Sequence, residues 1–234
     1  MDLFDKCHSF RDAKDLMEMD VYPFFRPIEN GSGPKVISHG QERVMIGSNN
    51  YLGLTQHPRV REAAIKAIER YGTGCTGSRF LNGNMDIHEE LEAELAKYLQ
   101  REAVLVFASG FLANLGSISC MVGRKDLIFS DRDNHASIVE GQSAALGETV
   151  KYKHNDMKEL ERLLQEYEHV PGKLIIFDGV FSMTGRTANL PEIVRLAGKY
   201  GARLYCDSAH DLGVVGPLRR GVPPHFGLND EVHL

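Results

Sequence analysis

Three short, largely apolar runs, LIFSD (127–131), KLIIFDGV (173–180) and ARLYCD (202–207), alternate with stretches of helical periodicity. An uninterrupted apolar strand must be covered on both faces, which a parallel sheet flanked by helices provides and an antiparallel sheet with one wet face does not. The alternation therefore implies an α/β chain built as a three-layer, mostly parallel sheet. TVKYKH (149–154) extends the strand series, and ASIVEGQSAALG (136–147) and PEIVRLAGKYG (191–201) read as covering helices. FLANLGSISCMVG (111–123) carries no charge and is expected to be a buried helix. Asp156, with Glu159 three residues on, reads as a capping box opening a helix through Tyr167. AVLVFAS (103–109) reads as one more short strand.

The N-terminal part follows a different pattern. Residues 1–30 read as an amphipathic helix and then an extended arm, because the two prolines of VYPFFRPIE forbid a continuing helix. KVISHGQERVMIGS (35–48) reads as a small hairpin turning at His39-Gly40. HPRVREAAIKAIERYG (57–72) is a helix with Pro58 in its first turn, apolar residues at Val60, Ala63, Ala64 and Ile68, and Gly72 past its end. IHEELEAELAKYLQ (87–100) is a second amphipathic helix. The expected division is an N-terminal helix, arm and hairpin over 1–55, then a major domain from 56 to 234.

Composition removes several functional classes. With a net charge of -5 and no basic cluster, the chain lacks the footprint of a nucleic-acid binder. Its four cysteines include no C-x-x-C pair, which argues against a disulfide framework or zinc site and for a cytoplasmic protein with reduced thiols. The start, MDLFDKCHSF, is mixed and charged, unlike a secretory signal. No apolar run approaches the roughly 20 residues of a membrane span, which leaves only peripheral membrane contact open. A serine hydrolase would need a G-x-S-x-G elbow, and neither DGVFSMTG nor FASGF supplies one. The histidines are scattered with no H-E-x-x-H, so no metal is expected.

In parallel α/β sheets, ligands bind beyond the carboxyl ends of the strands. Ser109-Gly110, Asp131 to His135, Asp178 to Ser182 and Asp207 to His210 all stand at such ends, so a site is expected where they converge. GTGCTG (72–77) matches G-x-G-x-x-G, yet a helix precedes it where the dinucleotide motif needs a strand, so it reads as a glycine-rich loop. Ser109-Gly110-Phe111 opens a helix, where free N–H groups and the helix dipole suit a phosphate; many helices with no ligand begin the same way. His135 is either a cap or a flat ring for stacking. Asp207 ends a very apolar strand and must be paired or hydrogen-bonded there. It is either a capping residue or the partner of a protonated ring nitrogen, as a pyridoxal cofactor requires.

Taken in order, GSNNYLGL (47–54), YGTGCTGSRFLNG (71–83), VFASGFLANLG (106–116), DRDNHASIVEG (131–141), DGVFSMTG (178–185) and CDSAHDLGVVG (206–216) resemble the α-oxoamine synthases, within the fold-type I pyridoxal 5'-phosphate (PLP) enzymes. The resemblance covers nearly the whole chain. It implies PLP as cofactor, with Ser109, Gly110 and Phe111 at its phosphate and His135 stacked on its ring. It further implies Ser182 and His210 near the ring hydroxyl, and Asp207 on the ring nitrogen. His135, Asp207 and His210 are the expected catalytic residues, and Asn49 is expected near the substrate carboxylate. VYPFFRPIE, TGSRFLNG and HFGLNDEVHL resemble the branch that condenses L-serine with a long-chain acyl-CoA more than those making aminolevulinate or 8-amino-7-oxononanoate. The implied products are a 3-keto sphingoid base, carbon dioxide and CoA, and the implied assembly is a homodimer with shared sites. A glycine C-acetyltransferase-like synthase is the nearest rival.

The family's Schiff-base lysine lies in a T-x-S-K segment some tens of residues after the D-x-A-H motif, and no lysine follows Asp207 here. The major domain is therefore expected to be incomplete at its C-terminus, lacking that lysine and the C-terminal domain, and this chain alone is expected to be inactive. A non-catalytic partner subunit without the lysine is the alternative. Ser208, Thr184, Arg186 and Asp211 also depart from the family's usual residues.

Overall fold

The protein is described by a computed structural model over residues 2–30 and 33–234. Two compact units, Met1–Thr73 and Gly74–Leu234, make up the chain. The first carries two short helices, α1 (Asp5–Ser9) and α2 (Asp12–Glu18), where the sequence suggests one. The break is local: Phe10 is extended, with φ -71° and ψ 109°, and Arg11 starts the helix again. Strands β1 (Lys35–Ser38) and β2 (Gln41–Val44) form the expected antiparallel hairpin. Its two turn residues, His39 (φ 52°) and Gly40 (φ 69°), are both left-handed, the backbone that a two-residue hairpin loop demands. Helix α3 (Pro58–Tyr71) has Pro58 in its first turn and Gly72 at φ 76° beyond its end. It groups with this unit, which thus reaches past the division drawn at residue 55.

The second unit contains α4 (Asp86–Leu99), α5 (Gly110–Met121), β3 (Asp126–Asp131), α6 (Ala136–Ala144), β4 (Glu148–Tyr152), α7 (Met157–Glu166), β5 (Gly172–Asp178), α8 (Leu190–Tyr200) and β6 (Arg203–Asp207). The four strands are parallel, in the order β4-β3-β5-β6. Alternate side chains feed opposite faces, as the pleat requires. Phe129, Ile175 and Leu204 join Leu160 and Leu164 of α7 and Ile193 of α8 in one core. Ile128, Ile176 and Tyr205 join Ile118 of α5 and Ile138 of α6 in the other. Those two cores are the reason the strands read as uninterrupted apolar runs.

Three details differ from the sequence reading. Helix α5 is buried only at Asn114 and Ile118, and leaves Phe111, Leu112 and Met121 exposed. It seats one line of residues against α6, and Gly141 permits that approach: a Cβ there would lie 2.8 Å from the carbonyl oxygen of Asn114. Residues 103–109 form no strand among the described residues. Side chains take up the backbone of Val106 instead: its N–H donates to Glu92 Oε1 (2.8 Å) and its carbonyl accepts from Arg79 Nη1 (3.1 Å). At the start of α7, Asp156 Oδ1 accepts from Glu159 N as expected (3.0 Å), but the Glu159 carboxylate accepts from Lys153 N (2.6 Å), so only half of the box forms. Along the outer edge of β6, Leu234 N donates to Leu204 O (3.3 Å) and Cys206 N to Leu234 O (2.8 Å).

Candidate active site at the strand ends

The strand order creates a crevice. From β3 the chain crosses through α6 on one face to β4, and from β5 it crosses through α8 on the other face to β6. The connections leaving the carboxyl ends of neighbouring strands β3 and β5 therefore diverge, and a ligand site is expected at that switch point. His135 follows β3 and Asp178 ends β5, and the His135 N–H donates to Asp178 Oδ2 across the crevice at 3.0 Å. Asp178 is in turn the register partner of Asp207 on β6.

A cavity of about 100 Å³ opens here, and each of the four polar clusters contributes to it: Gly110, His135, Asp178 with Ser182, and Asp207 with His210. A cleft of about 370 Å³ adjoins it and shares Gly110, Asn114 and Asp207. Phe111 also lines the cavity. Ser109 does not; its Oγ caps α5, accepting from Leu112 N at 3.2 Å. Asn49 belongs to the N-terminal unit, where it is exposed and its Oδ1 lies 3.5 Å from Tyr51 Oη.

Sequence reasoning missed the residues that hold these groups in place. Asn114 Nδ2 donates to Asp207 Oδ2 (2.7 Å) and to Ser137 Oγ (2.8 Å), while Asn114 Oδ1 accepts from Tyr205 Oη (2.8 Å). Ser137 Oγ lies 2.7 Å from His135 Nδ1, and Ala209 N donates to Asp207 Oδ1 at 2.9 Å. One signal was available: Asn114 is the one primary amide in an uncharged helical stretch, and a buried amide must be hydrogen-bonded. Asp211 is wholly buried, and its Oδ2 accepts from Val222 N at 2.6 Å. Gly179 leaves it room, since a Cβ there would come within 2.5 Å of Asp211 Oδ2.

The crevice holds an excess of negative charge. Burial, and then the neighbouring Asp207 carboxylate, push the Asp178 carboxyl up from an ordinary 3.8 to about 7. Burial likewise pushes the Tyr205 phenol up to about 12, and raises the Cys206 thiol and the Asp211 carboxyl. Asp178 thus stays protonated in the folded chain where the unfolded chain has already ionised. Its contribution to stability is present below about pH 4 and is lost as the pH rises to about 7. Asp178→Asn is expected to flatten that decline, read as the slope of urea-unfolding stability between those limits; an unchanged slope would assign the decline to other groups.

The family model for aminotransferases of class I and II matches residues 42–234. A serine palmitoyltransferase from Bacteriovorax stolpii is 55% identical over 221 residues, covering 94% of this chain and 53% of that protein. An 8-amino-7-oxononanoate synthase from Thermoanaerobacter pseudethanolicus is 48% identical over 222 residues, covering 94% and 56%. Both names fall within the α-oxoamine synthases that the motifs resemble. Among solved structures, a lysine-to-alanine variant of serine palmitoyltransferase from S. paucimobilis with a bound PLP–myriocin aldimine superimposes with a TM-score of 0.94 at 34% identity, over 99% of this chain and 59% of that one. The chain spans a little over half the length of these relatives.

Proposed function

This chain belongs to the aminotransferase class I and II family, and on that premise we propose that it forms the cofactor-holding part of a PLP-dependent α-oxoamine synthase. The reaction is the decarboxylative condensation of L-serine with a long-chain acyl-CoA, giving a 3-keto sphingoid base, carbon dioxide and CoA. The observation that carries this reading is the convergence of three strand-end clusters, after β3, β5 and β6, and the start of α5 on one cavity. Serine is favoured over other amino acids because the 55% identical relative is a serine palmitoyltransferase.

The residues present suit the cofactor. Burial, and then the Asp207 carboxylate at the neighbouring strand end, raise the Asp178 carboxyl to about 7, and a cationic ring nitrogen beside Asp207 would offset that repulsion. Asp207 accepts one hydrogen bond on each oxygen, and a carboxylate has room for about four. At Gly110 a Cβ would meet nothing within 4 Å, so the start of α5 is open to a phosphate.

When bound, PLP supplies an electron sink that stabilises a carbanion. Asp207 would hold the proton on the ring nitrogen, without which that sink is weak. The backbone N–H groups of Gly110 and Phe111, in the first turn of α5, hold the phosphate. His135, which lines the cavity, would cover the ring face and orient the amino-acid carboxylate. Ser182 and His210 hold the ring hydroxyl.

Among the described residues no lysine lines the cavity, and a lysine amine is the nucleophile such chemistry needs. A polypeptide of these 234 residues is therefore expected to bind PLP reversibly, to lose it on dialysis, and to be inactive alone. Titration followed by PLP fluorescence, then borohydride treatment and mass spectrometry, checks this. A pyridoxyl-lysine adduct, or a visible absorbance band that survives dialysis, would contradict reversible holding; absence of saturable binding would overturn the site itself.

The working assembly is a cytoplasmic homodimer with shared sites. Phe80 and Leu81, 94% and 80% exposed on the loop before α4, support a covered surface there. No helix among the described residues is long and apolar enough to cross a membrane.

A further inference from the structure

The Asn114 amide has two hydrogens to give, both on Nδ2. One reaches Asp207 Oδ2 at 2.7 Å and the other Ser137 Oγ at 2.8 Å. The amide lies this way round for a chemical reason. Reversed, it would set its carbonyl oxygen against the Asp207 carboxylate, acceptor against acceptor. Tyr205 Oη, 2.8 Å from Asn114 Oδ1, donates to it and holds the orientation. Both Asn114 and Ser137 are buried, at 5% and 1% exposure, so a mismatched partner is costly.

The polarity of the next bond follows. Ser137 Oγ receives the Asn114 hydrogen and keeps one of its own, and His135 Nδ1 stands 2.7 Å away. The Ser137 backbone N–H donates to the same ring nitrogen at 3.2 Å. Nδ1 is thus an acceptor from two donors and carries no proton. We infer that Asn114 is a positioning residue that, acting through Ser137, holds His135 as the Nε2–H tautomer while the same amide orients Asp207. One buried amide then sets both the carboxylate at the edge of the proposed ring and the imidazole over its face. The functional meaning rests on the PLP reading; the proton placement does not.

Nitrogen-15 NMR of the histidine rings in the cofactor-free chain tests the placement directly. His135 is expected to show an unprotonated Nδ1 and a protonated Nε2. In Asn114→Leu the hydroxyl of Ser137 is released while its backbone N–H still donates to Nδ1, so a minor Nδ1–H population is expected to appear beside the Nε2–H form, together with about tenfold weaker PLP binding from the lost charge-assisted bond to Asp207. In Asn114→Asp an acceptor faces Ser137, the hydroxyl turns toward it, and the His135 population is expected to shift toward Nδ1–H. A cooperative thermal transition selects the variants that fold, and either one suffices. A protonated Nδ1 in the unaltered chain, or a ring signature unmoved in a folded variant, overturns the inference. Absence of PLP binding by the unaltered chain, with the expected ring signature present, counts against the PLP reading alone.

Discussion

Asp207→Asn is expected to weaken PLP binding to this chain about a hundredfold, a loss of about 2.7 kcal/mol. Breaking a buried ion pair on one side costs roughly 3–5 kcal/mol; Asp207 is half-buried, which places the effect somewhat below that range. The substitution keeps the side chain's shape and an oxygen for Asn114 Nδ2, and the Ala209 N–H that loses its acceptor belongs to an exposed residue that water can reach, so the chain should fold normally. What it removes is the charge that holds a proton on the ring nitrogen. Asp178→Asn serves as the control. Its remaining oxygen can still accept from His135 N, the bond of 3.0 Å at the crevice, and affinity should change only a few-fold. Fluorescence titration of both variants against the unaltered chain makes the comparison. Equal affinities for Asp207→Asn and the unaltered chain would remove Asp207 from its place at the ring.

Phe129→Ala is expected to destabilise the second unit by about 3–5 kcal/mol, the usual cost of emptying an aromatic site in a close-packed core. Phe129 is 0% exposed in β3, an interior strand with neighbours on both sides, and meets Tyr167 edge-on at 6.3 Å between ring centres. Against a typical total of about 5–15 kcal/mol, such a loss takes a large share. Because β3 leads directly to Asp131 and His135, the variant should lose cofactor binding along with stability. Urea unfolding followed by circular dichroism checks the first effect, with Leu146→Ala, 61% exposed, expected to stay within about 0.5 kcal/mol. A loss for Phe129→Ala below about 1 kcal/mol would mean that the two cores do not depend on β3 as described.

Much of this architecture is legible along the chain because it is local. Phe129, Ile175 and Leu204 sit in runs whose apolar character marks doubly covered strands, and the helices between them announce themselves by period, cap and glycine stop. The polar residues that end those runs, from Asp131 to His135 and at Asp178 and Asp207, could be placed together on one sheet edge by the rule for parallel sheets alone. Residues 103–109 show where that logic stops. A strand exists only with a neighbour, which composition does not reveal, and Arg79 and Glu92 satisfy Val106 in its place.

The amino-acid order by itself determined the layers, the strand ends and the cluster of groups available for chemistry, since each follows from side-chain periodicity within a few residues. The tertiary structure alone decided how those groups are held. Asn114 meets Ser137 across 23 positions and Asp207 across 93, contacts that arise only when α5 lies on the sheet beside α6. Hydrogen-bond direction depends on that packing in space, and no spacing along the chain encodes it.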